Sequence, residues 1–273
     1  MVTAGADRAT VSFVGNGMRI LEPQSRTAQR ARGHKSHRPQ QFGQHSRQIR
    51  QSQGNGEAYA VPMTRVLILG AGGQIARWVI AGLADDTGVE MTLVLRHPRR
   101  LARTPANARV VHGDVLDRAT LDQAVAEQHI VYANLTGDDI DDQARAVIGA
   151  MQTAGVKRLV FVTSLGIYDE VPGRFGRWNR QMIGDALKPF RRAADAIEAS
   201  GLDYTILRPA WLQDEDEIDY ETTDKGQPFK GTEVSRRSVA DLVLTIVRAP
   251  TRHSRANLGV NKPGTDGDKP AFY

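Results

Sequence analysis

Val66-Leu67-Ile68-Leu69-Gly70-Ala71-Gly72-Gly73-Gln74-Ile75-Ala76 decides how the rest of the chain is read. Four consecutive apolar residues predict a strand buried on both faces, and Ile75, Val79, Ile80 and Leu83 then recur at helical spacing. Between strand and helix lies a tight turn. Gly70 permits the turn, Gly72 and Gly73 keep Cβ atoms away from whatever approaches the backbone, and Ala76 lets the helix lie close to the strand. The first turn of a helix offers N–H groups with no intrahelical acceptor and a partial positive charge, so the unit forms a cradle for a diphosphate. Gly70, Gly72, Gly73, Gln74 and Ile75 are therefore the candidate diphosphate contacts. Read as G-x-G-x-x-G, the third glycine position falls on Ile75, a mismatch; read as G-x-x-G-x-x-G/A, the pattern is met by Gly70, Gly73 and Ala76. A glycine-rich turn alone is a weak signal, and its place between a strand and a helix is what makes it count.

The same alternation continues downstream. Strands are predicted at 91–95, 109–111, 130–133, 159–162 and 204–207, the last stopped by Pro209. A helix is expected around 119–127. Asp139 can cap the next, with Ile140, Ala144, Val147, Ile148 and Met151 on its apolar face and Gly155 at its end. Another starts near Pro189, with Phe190, Ala193, Ala194 and Ile197 in phase and Gly201 closing it. Ser238 and Asp241 give a capping-box pattern ahead of Val239, Leu242, Val243, Ile246 and Val247. Apolar strands alternating with amphipathic helices predict an α/β chain with a Rossmann-like, doubly wound parallel sheet covered on both faces. In such sheets a ligand lies beyond the carboxyl ends of the strands, where the strand order reverses.

The end of the second strand should then face an adenosine ribose. An NAD site usually has Asp or Glu there to accept from the 2′-hydroxyl. This chain has Leu95-Arg96-His97-Pro98-Arg99-Arg100. A guanidinium cannot accept, but it holds a 2′-phosphate bidentately. Charge-assisted bonds of roughly 1.5–3 kcal/mol each give a preference for NADP(H) over NAD on the order of 10- to 1,000-fold. Arg96 is the expected contact, assisted by Arg99 or Arg100; the plain alternative is a solvated basic turn. After the third strand, Asp114 and Val115 either meet the adenine edge or simply lead into a helix. Asn134, Leu135 and Thr136, at the end of the fourth, should border the ribose and pyrophosphate.

Composition narrows the function classes. No cysteine is present, which excludes disulfides, thiolate catalysis and Cys-ligated zinc, and fits a cytoplasmic protein. No apolar run is long enough to span a membrane. The net charge of +5 suggests nucleic acid, but its distribution argues against that. Residues 1–62 hold nine basic residues against three acidic ones; 63–273 hold twenty-seven against twenty-eight. The folded part has no global field to attract a polyanion. Residues 1–62 lack any sustained period and are rich in Gln, Arg, Ser, Gly and His, so they are expected to be a disordered basic tail. An upstream mis-start, with Met63 the true initiator, is one reading of that tail; a targeting segment and a functional tail are others. Residues 63–273 form the predicted nucleotide-binding domain.

His34, His37 and His45 in the tail, and His97, His112, His129 and His253 beyond it, show no ligand spacing, so no metal is expected. The run Asp214-Glu215-Asp216-Glu217 with Asp219 reads as a solvated loop rather than a cation site. Trp178 and Trp211 either line an aromatic pocket or cover the sheet.

Several segments together resemble the atypical short-chain dehydrogenase/reductase branch that includes the NmrA-like and NAD(P)H-binding proteins. They are the glycine turn, Gly113-Asp114-Val115, Phe161-Val162-Thr163-Ser164, residues 199–209 (Ala-Ser-Gly-Leu-Asp-Tyr-Thr-Ile-Leu-Arg-Pro) and Val234-Ser235-Arg236-Arg237-Ser238-Val239-Ala240. The resemblance spans most of 64–262 and implies a Rossmann fold with a small C-terminal substrate-side region. It also implies that Thr163, Ser164 and Ala210 lie beside the nicotinamide. Reductases of the superfamily use a Ser with a Tyr-x-x-x-Lys pair that moves a proton as hydride is transferred. Ser164 stands at the Ser position, but the pair is missing: Tyr168 is followed four residues on by Pro172, and Lys188 is preceded at that spacing by Gly184. Either Tyr168 and Lys188 meet in space, or the acceptor needs no protein acid, as with a flavin or quinone. The expectation is an NADP(H)-dependent oxidoreductase for a flavin, quinone or other small acceptor. The alternatives are a non-catalytic NADP(H) sensor that reports to a regulatory protein partner and, third, a nucleotide-sugar epimerase or dehydratase.

Overall fold

A computed structural model of the protein describes residues 11–13, 18–20, 63–101 and 103–273. Strands β1 (Val11–Phe13) and β2 (Met18–Ile20) pair antiparallel. The remainder of 1–62, with the tail expectation and His34, His37 and His45, lies outside the described residues.

Eight strands form the main sheet, in the order β10 (Glu221–Asp224), β12 (Ala256–Asn261), β8 (Asp203–Pro209), β7 (Arg158–Val162), β6 (Ile130–Ala133), β3 (Thr64–Leu69), β4 (Val89–Leu95) and β5 (Ala108–His112). All neighbours run parallel except the edge pair β10–β12. The chain turns one way from β3 through β4 to β5 and the other way through β6, so the order reverses between β3 and β6. This is the predicted doubly wound α/β sheet. The apolar runs that announced it are buried: all of β6 and β7, and Val66–Leu69 of β3. At the edge, β5 is half exposed, because among the described residues no strand covers its outer side.

Helices α1 (Gln74–Leu83) and α6 (Arg236–Arg248) pack on each other, and α3 (Ile140–Ala154) packs on α2 (Arg118–Val125) and α5 (Leu187–Ala199). The remaining helix, α4 (Gly173–Ile183), was not foreseen. A two-stranded parallel sheet of β9 (Trp211–Gln213) and β11 (Glu233–Ser235) packs with α4 through the Trp211–Asn179 hydrogen bond. No helix among the described residues is long and apolar enough to cross a membrane.

Helix ends follow local chemistry. Gly155 closes α3 in the left-handed conformation, φ 72°. Asp139 does stand at its N-cap, but its carboxylate accepts from Gln143 Nε2 at 2.6 Å rather than from the backbone. The capping box at Ser238 is corrected: α6 starts three residues earlier, capped by Ser235, whose Oγ accepts from the Ser238 amide at 2.9 Å. The apolar stripe begins only at Val239, so the stripe marked the start too late.

Asp141, in the first turn of α3, fastens that helix to α5. Its carboxylate is nearly buried and accepts from Arg192 Nε at 2.6 Å and Arg145 Nη2 at 2.9 Å. The Arg192 hydrogen bond is the largest cause and holds the carboxyl below its usual range; burial opposes it, and the weaker Arg145 hydrogen bond adds to the lowering. A depressed folded-state pKa means the stabilisation is complete above the unfolded value near 4 and is lost as pH falls through the folded value. Asp141→Asn should therefore lower stability by about 1–2 kcal/mol at neutral pH and lose less than the parent below roughly pH 4. Urea melts from pH 7 to 3 check this; parallel curves would refute it.

Candidate functional site

The strand register brings one rim together. Leu69 lies beside Val94 and Ala133, and Val162 beside Leu207, so Gly70, Arg96, Asn134 and Thr163 emerge at the same edge of the sheet. Gly70 turns the chain at φ 74°. The Gly70 and Ala71 amides donate to Val94 O at 3.0 and 3.1 Å, and the Gly73 amide returns to Gly70 O at 2.9 Å. Gly73 is the N-cap of α1 and supplies no side chain to satisfy the first-turn amides, and that turn holds no acid. The donors of Gln74, Ile75 and Ala76 are thus available to an anion.

The space in front of them is kept by glycine. A Cβ on Gly73 would stand 2.1 Å from Asn134 Nδ2, and one on Gly72 3.2 Å from Arg100 Cβ. Asn134 is itself fixed: its Oδ1 accepts from the Tyr132 hydroxyl at 3.2 Å, and its Nδ2 reaches Gly70 O at 3.5 Å. Tyr132 is wholly buried, which pushes its phenol well above the usual range and keeps it a donor.

Gly70, Gly72, Gly73, Arg96, Asp114, Val115, Asn134, Leu135 and Thr136 line one cleft of about 250 Å³. Gln74 and Ile75 do not line it with side chains. Ile75 is in the core, so either residue can contribute only through backbone amides or a small shift of the Gln74 amide, whose buried Oε1 has no partner among the described residues. Arg96 Nη1 lies 3.6 Å from Asp114 Oδ2, and both groups are exposed. Asp114 also accepts from the Leu116 amide at 3.0 Å, so it serves the turn into α2 while facing the cleft. Of the neighbouring basic residues, His97 and Arg100 line the cleft and Arg99 does not.

A smaller chamber of about 90 Å³ adjoins it and shares Leu135 and Thr136 as wall. Thr163, Ser164 and Ala210 are there, with Trp211, Arg236, Phe272 and Tyr273. The Thr163 hydroxyl is committed to Leu207 O at 3.1 Å. Ser164 has no hydrogen bond to another described residue and is the free hydroxyl of the pair. Trp211 lines the chamber and anchors its indole N–H on Asn179 Oδ1 at 2.9 Å; Trp178 backs it at a centroid distance of 4.7 Å. One tryptophan therefore lines the pocket and the other covers it. Tyr273 meets both rings edge-on.

The meeting of Tyr168 with Lys188 is corrected. The Tyr168 hydroxyl accepts from Asn257 Nδ2 at 2.8 Å and points to Glu198, with Arg191 and Lys225 over its ring. Burial and the Glu198 charge raise its pKa well above the usual range. Lys188 is exposed and pairs with Asp185 at 2.9 Å. Neither residue lines the chamber, so they cannot serve Ser164 as an acid pair.

The acidic run is a set of ion pairs. Asp214 faces Arg236 at 3.1 Å and Arg77 at 3.8 Å, Asp216 faces Arg237 at 2.5 Å, and Glu217 faces Lys262 at 2.7 Å. Among the described residues no group of three or more His, Asp or Glu could hold a metal ion. Sequence reasoning missed Arg236, Phe272 and Tyr273 as chamber residues. Arg236 stood inside a quoted segment, but nothing there distinguished it from Arg237.

An uncapped helix start, glycines whose Cβ atoms would fill the cradle, and a basic residue opposite the cleft suit a pyridine dinucleotide. The profile of a family described as NAD(P)H-binding matches residues 70–250. A Rossmann-fold NAD(P)-binding family protein from Shigella flexneri is 57% identical, with TM-score 0.68 over 77% of this chain and 100% of its own. A wide-type short-chain dehydrogenase/reductase from Veillonella parvula DSM 2008, solved in complex with NADP, is 29% identical, with TM-score 0.70 over 77% and 99%. YhfK of Bacillus subtilis (strain 168), described as an uncharacterized sugar epimerase, is 27% identical over 209 residues, 70% of this chain and 92% of its own.

Proposed function

This chain belongs to the NAD(P)H-binding family, and from that premise we propose that it is a cytoplasmic NADPH-dependent reductase of a small quinone or carbonyl acceptor. The observation that carries the reading is the wall shared by cleft and chamber: Leu135 and Thr136 face both. A dinucleotide held at its diphosphate by the α1 amides would have the adjoining chamber, with Ser164, within reach of its nicotinamide half. When bound, that cofactor supplies a hydride.

The chain's own residues do the rest. The glycine turn and α1 amides bind the diphosphate, and Arg96 with Arg100 receives the 2′-phosphate. Ser164 donates one hydrogen bond to the acceptor oxygen. Trp211 and Tyr273 exclude water and hold a flat ring. With Tyr168 and Lys188 engaged elsewhere, the chamber has no Tyr–Lys acid pair among the described residues, which favours an acceptor such as a quinone, whose reduced anion takes its proton from water. The chamber volume of about 90 Å³ is smaller than the ~150 Å³ that accepts benzene in a closed apolar cavity. A one-ring acceptor reaching in from the cleft suits it better than a tricyclic flavin.

NADPH oxidation with benzoquinone, menadione, simple aldehydes and FMN tests the reading, with faster turnover of the one-ring quinone than of FMN expected. NADPH binding with no reduction of any of these acceptors, or of a carboxylate-bearing quinone, would favour a sensor over a reductase. Arg96 gives the cofactor test. Losing a charge-assisted phosphate contact of roughly 1.5–3 kcal/mol, Arg96→Gln should weaken NADPH about 10- to 100-fold and leave NADH almost unchanged. Calorimetry with both nucleotides measures this, and an unaltered affinity ratio would remove Arg96 from the site.

A further inference from the structure

Arg236 is the one charged side chain in the wall of the chamber. It sits at the start of α6, directly after the Ser235 cap, and only 8% of its side chain is exposed. A guanidinium taken out of water needs acceptors for all of its donors. This one is short of them. Its Nη1 faces Asp214 at 3.1 Å, while its Nε is sealed from solvent with no partner among the described residues. Asp214 is a diluted counter-charge: it is 60% exposed and shared with Arg77 at 3.8 Å. Two cations thus divide one solvated carboxylate, and no Asp or Glu among the described residues lines the chamber.

The rest of the wall is largely aromatic and apolar and includes Trp211, Phe272, Tyr273, Leu165 and Ala210. Such a pairing, a flat apolar enclosure with one under-satisfied planar cation, recognises a ring bearing a carboxylate. We propose that Arg236 determines substrate specificity by binding a carboxylate on the acceptor, so that the acceptor is a small aromatic or quinonoid acid. This rests on the reductase reading above and names the substrate class of the same site. The carboxylate would share the Nη donors of Arg236 with the solvated Asp214 and set the ring against the aromatic wall near Ser164.

Benzoate and benzamide, equal in shape and different in charge, are the probes, titrated by calorimetry into the full chain saturated with NADP+ so that the phosphate cradle is already filled. Benzoate should bind at least about tenfold more tightly than benzamide. Arg236→Gln should abolish that preference, and Arg236→Lys should keep part of it, because a point charge remains without the planar fork. Asp214→Asn, a change at an exposed position, should tighten benzoate severalfold by releasing the guanidinium. Equal binding of the two probes to the parent protein, or a preference that survives Arg236→Gln, would overturn the proposal. If Arg236→Gln does not fold, Asp214→Asn decides: benzoate affinity that is unchanged or weaker counts against it. The two readings fail separately. A protein that gives no heat with NADP+ defeats the functional reading itself, whereas one that binds NADP+ and reduces neutral quinones but ignores the carboxylate defeats only the role of Arg236.

Discussion

Gly70→Ala is expected to cost the fold about 2–5 kcal/mol and to lower NADPH affinity by roughly 100-fold or more. Two separate penalties add. Gly70 has φ 74°, where a Cβ crowds the following carbonyl at a cost of about 1–2 kcal/mol. That Cβ would also stand 2.3 Å from Asn134 O and 3.0 Å from Asn134 C, which are backbone atoms. The Asn134 amide is itself tied to Leu69 O at 2.9 Å, so the β6 end cannot retreat without breaking the sheet. Overpacking of that kind costs about 1–3 kcal/mol more. For a domain of this size the sum lowers Tm by roughly 5–15 °C. Affinity falls as well, because the turn and Asn134 are opposite walls of the same cleft. Gly155→Ala is the control. Gly155 has φ 72° but open space around the missing Cβ, so it should lose only the dihedral part and keep its affinity for NADPH. If thermal melts and titrations find the two variants alike, the cradle is not sterically built and the glycine argument fails.

The difference between those two glycines also shows what a sequence can and cannot disclose. Both were legible as turn residues, and the strand–turn–helix context singled out Gly70 as the one near a ligand. That context is local, as are the apolar runs of β3, β6 and β7 and the helical stripes of α1, α3 and α5. The fold and the cofactor rim followed from them, since parallel strands in register deliver their carboxyl ends to one edge. What stayed hidden depends on partners distant along the chain. The α4 segment, Gly-Arg-Phe-Gly-Arg-Trp-Asn-Arg-Gln-Met-Ile, has two glycines and three arginines, which mask the helical spacing of Phe175, Trp178, Met182 and Ile183. It is held by Asn179 on Trp211 and by the close approach of Gly176 to Val171 O. Tyr168 could be placed beside Lys188 by residue type alone, but Asn257 from β12 and Glu198 from α5 claim its hydroxyl. Arg236 and Arg237 are neighbours of one type. Only the helix phase set by the Ser235 cap turns the first into the chamber and leaves the second with Asp216 and over Trp78.

Glu170→Ala should be the most damaging change outside the glycine turn, at about 3–5 kcal/mol. Arg208 is fully buried on β8 and Glu170 nearly so, and their side chains form an ion pair inside the protein. Arg208 Nε donates to Asn257 Oδ1 at 2.8 Å, and its Nη2 reaches backbone carbonyls at 3.4 and 3.5 Å, so Glu170 is the only carboxylate that balances its charge among the described residues. Removing that carboxylate strands a guanidinium in the interior, and the penalty is set by the orphaned charge rather than by the lost bond. Glu170 also accepts from the Gly166 amide at 3.1 Å and the Tyr168 amide at 2.9 Å, which clamps the loop after Ser164 against the sheet. Stability and acceptor binding should therefore fall together: Tm by roughly 6–20 °C, and the KM for a quinone acceptor upward. Adding Arg208→Met to the Glu170→Ala variant separates the two effects. With no charge left to strand, much of the lost stability should return, while the loop stays unclamped and the KM stays high. Denaturant titrations of the single and double variants decide the first point and steady-state kinetics the second. A single variant that loses less than about 1 kcal/mol would mean that water reaches Arg208 and that the loop behind Ser164 is held by something else.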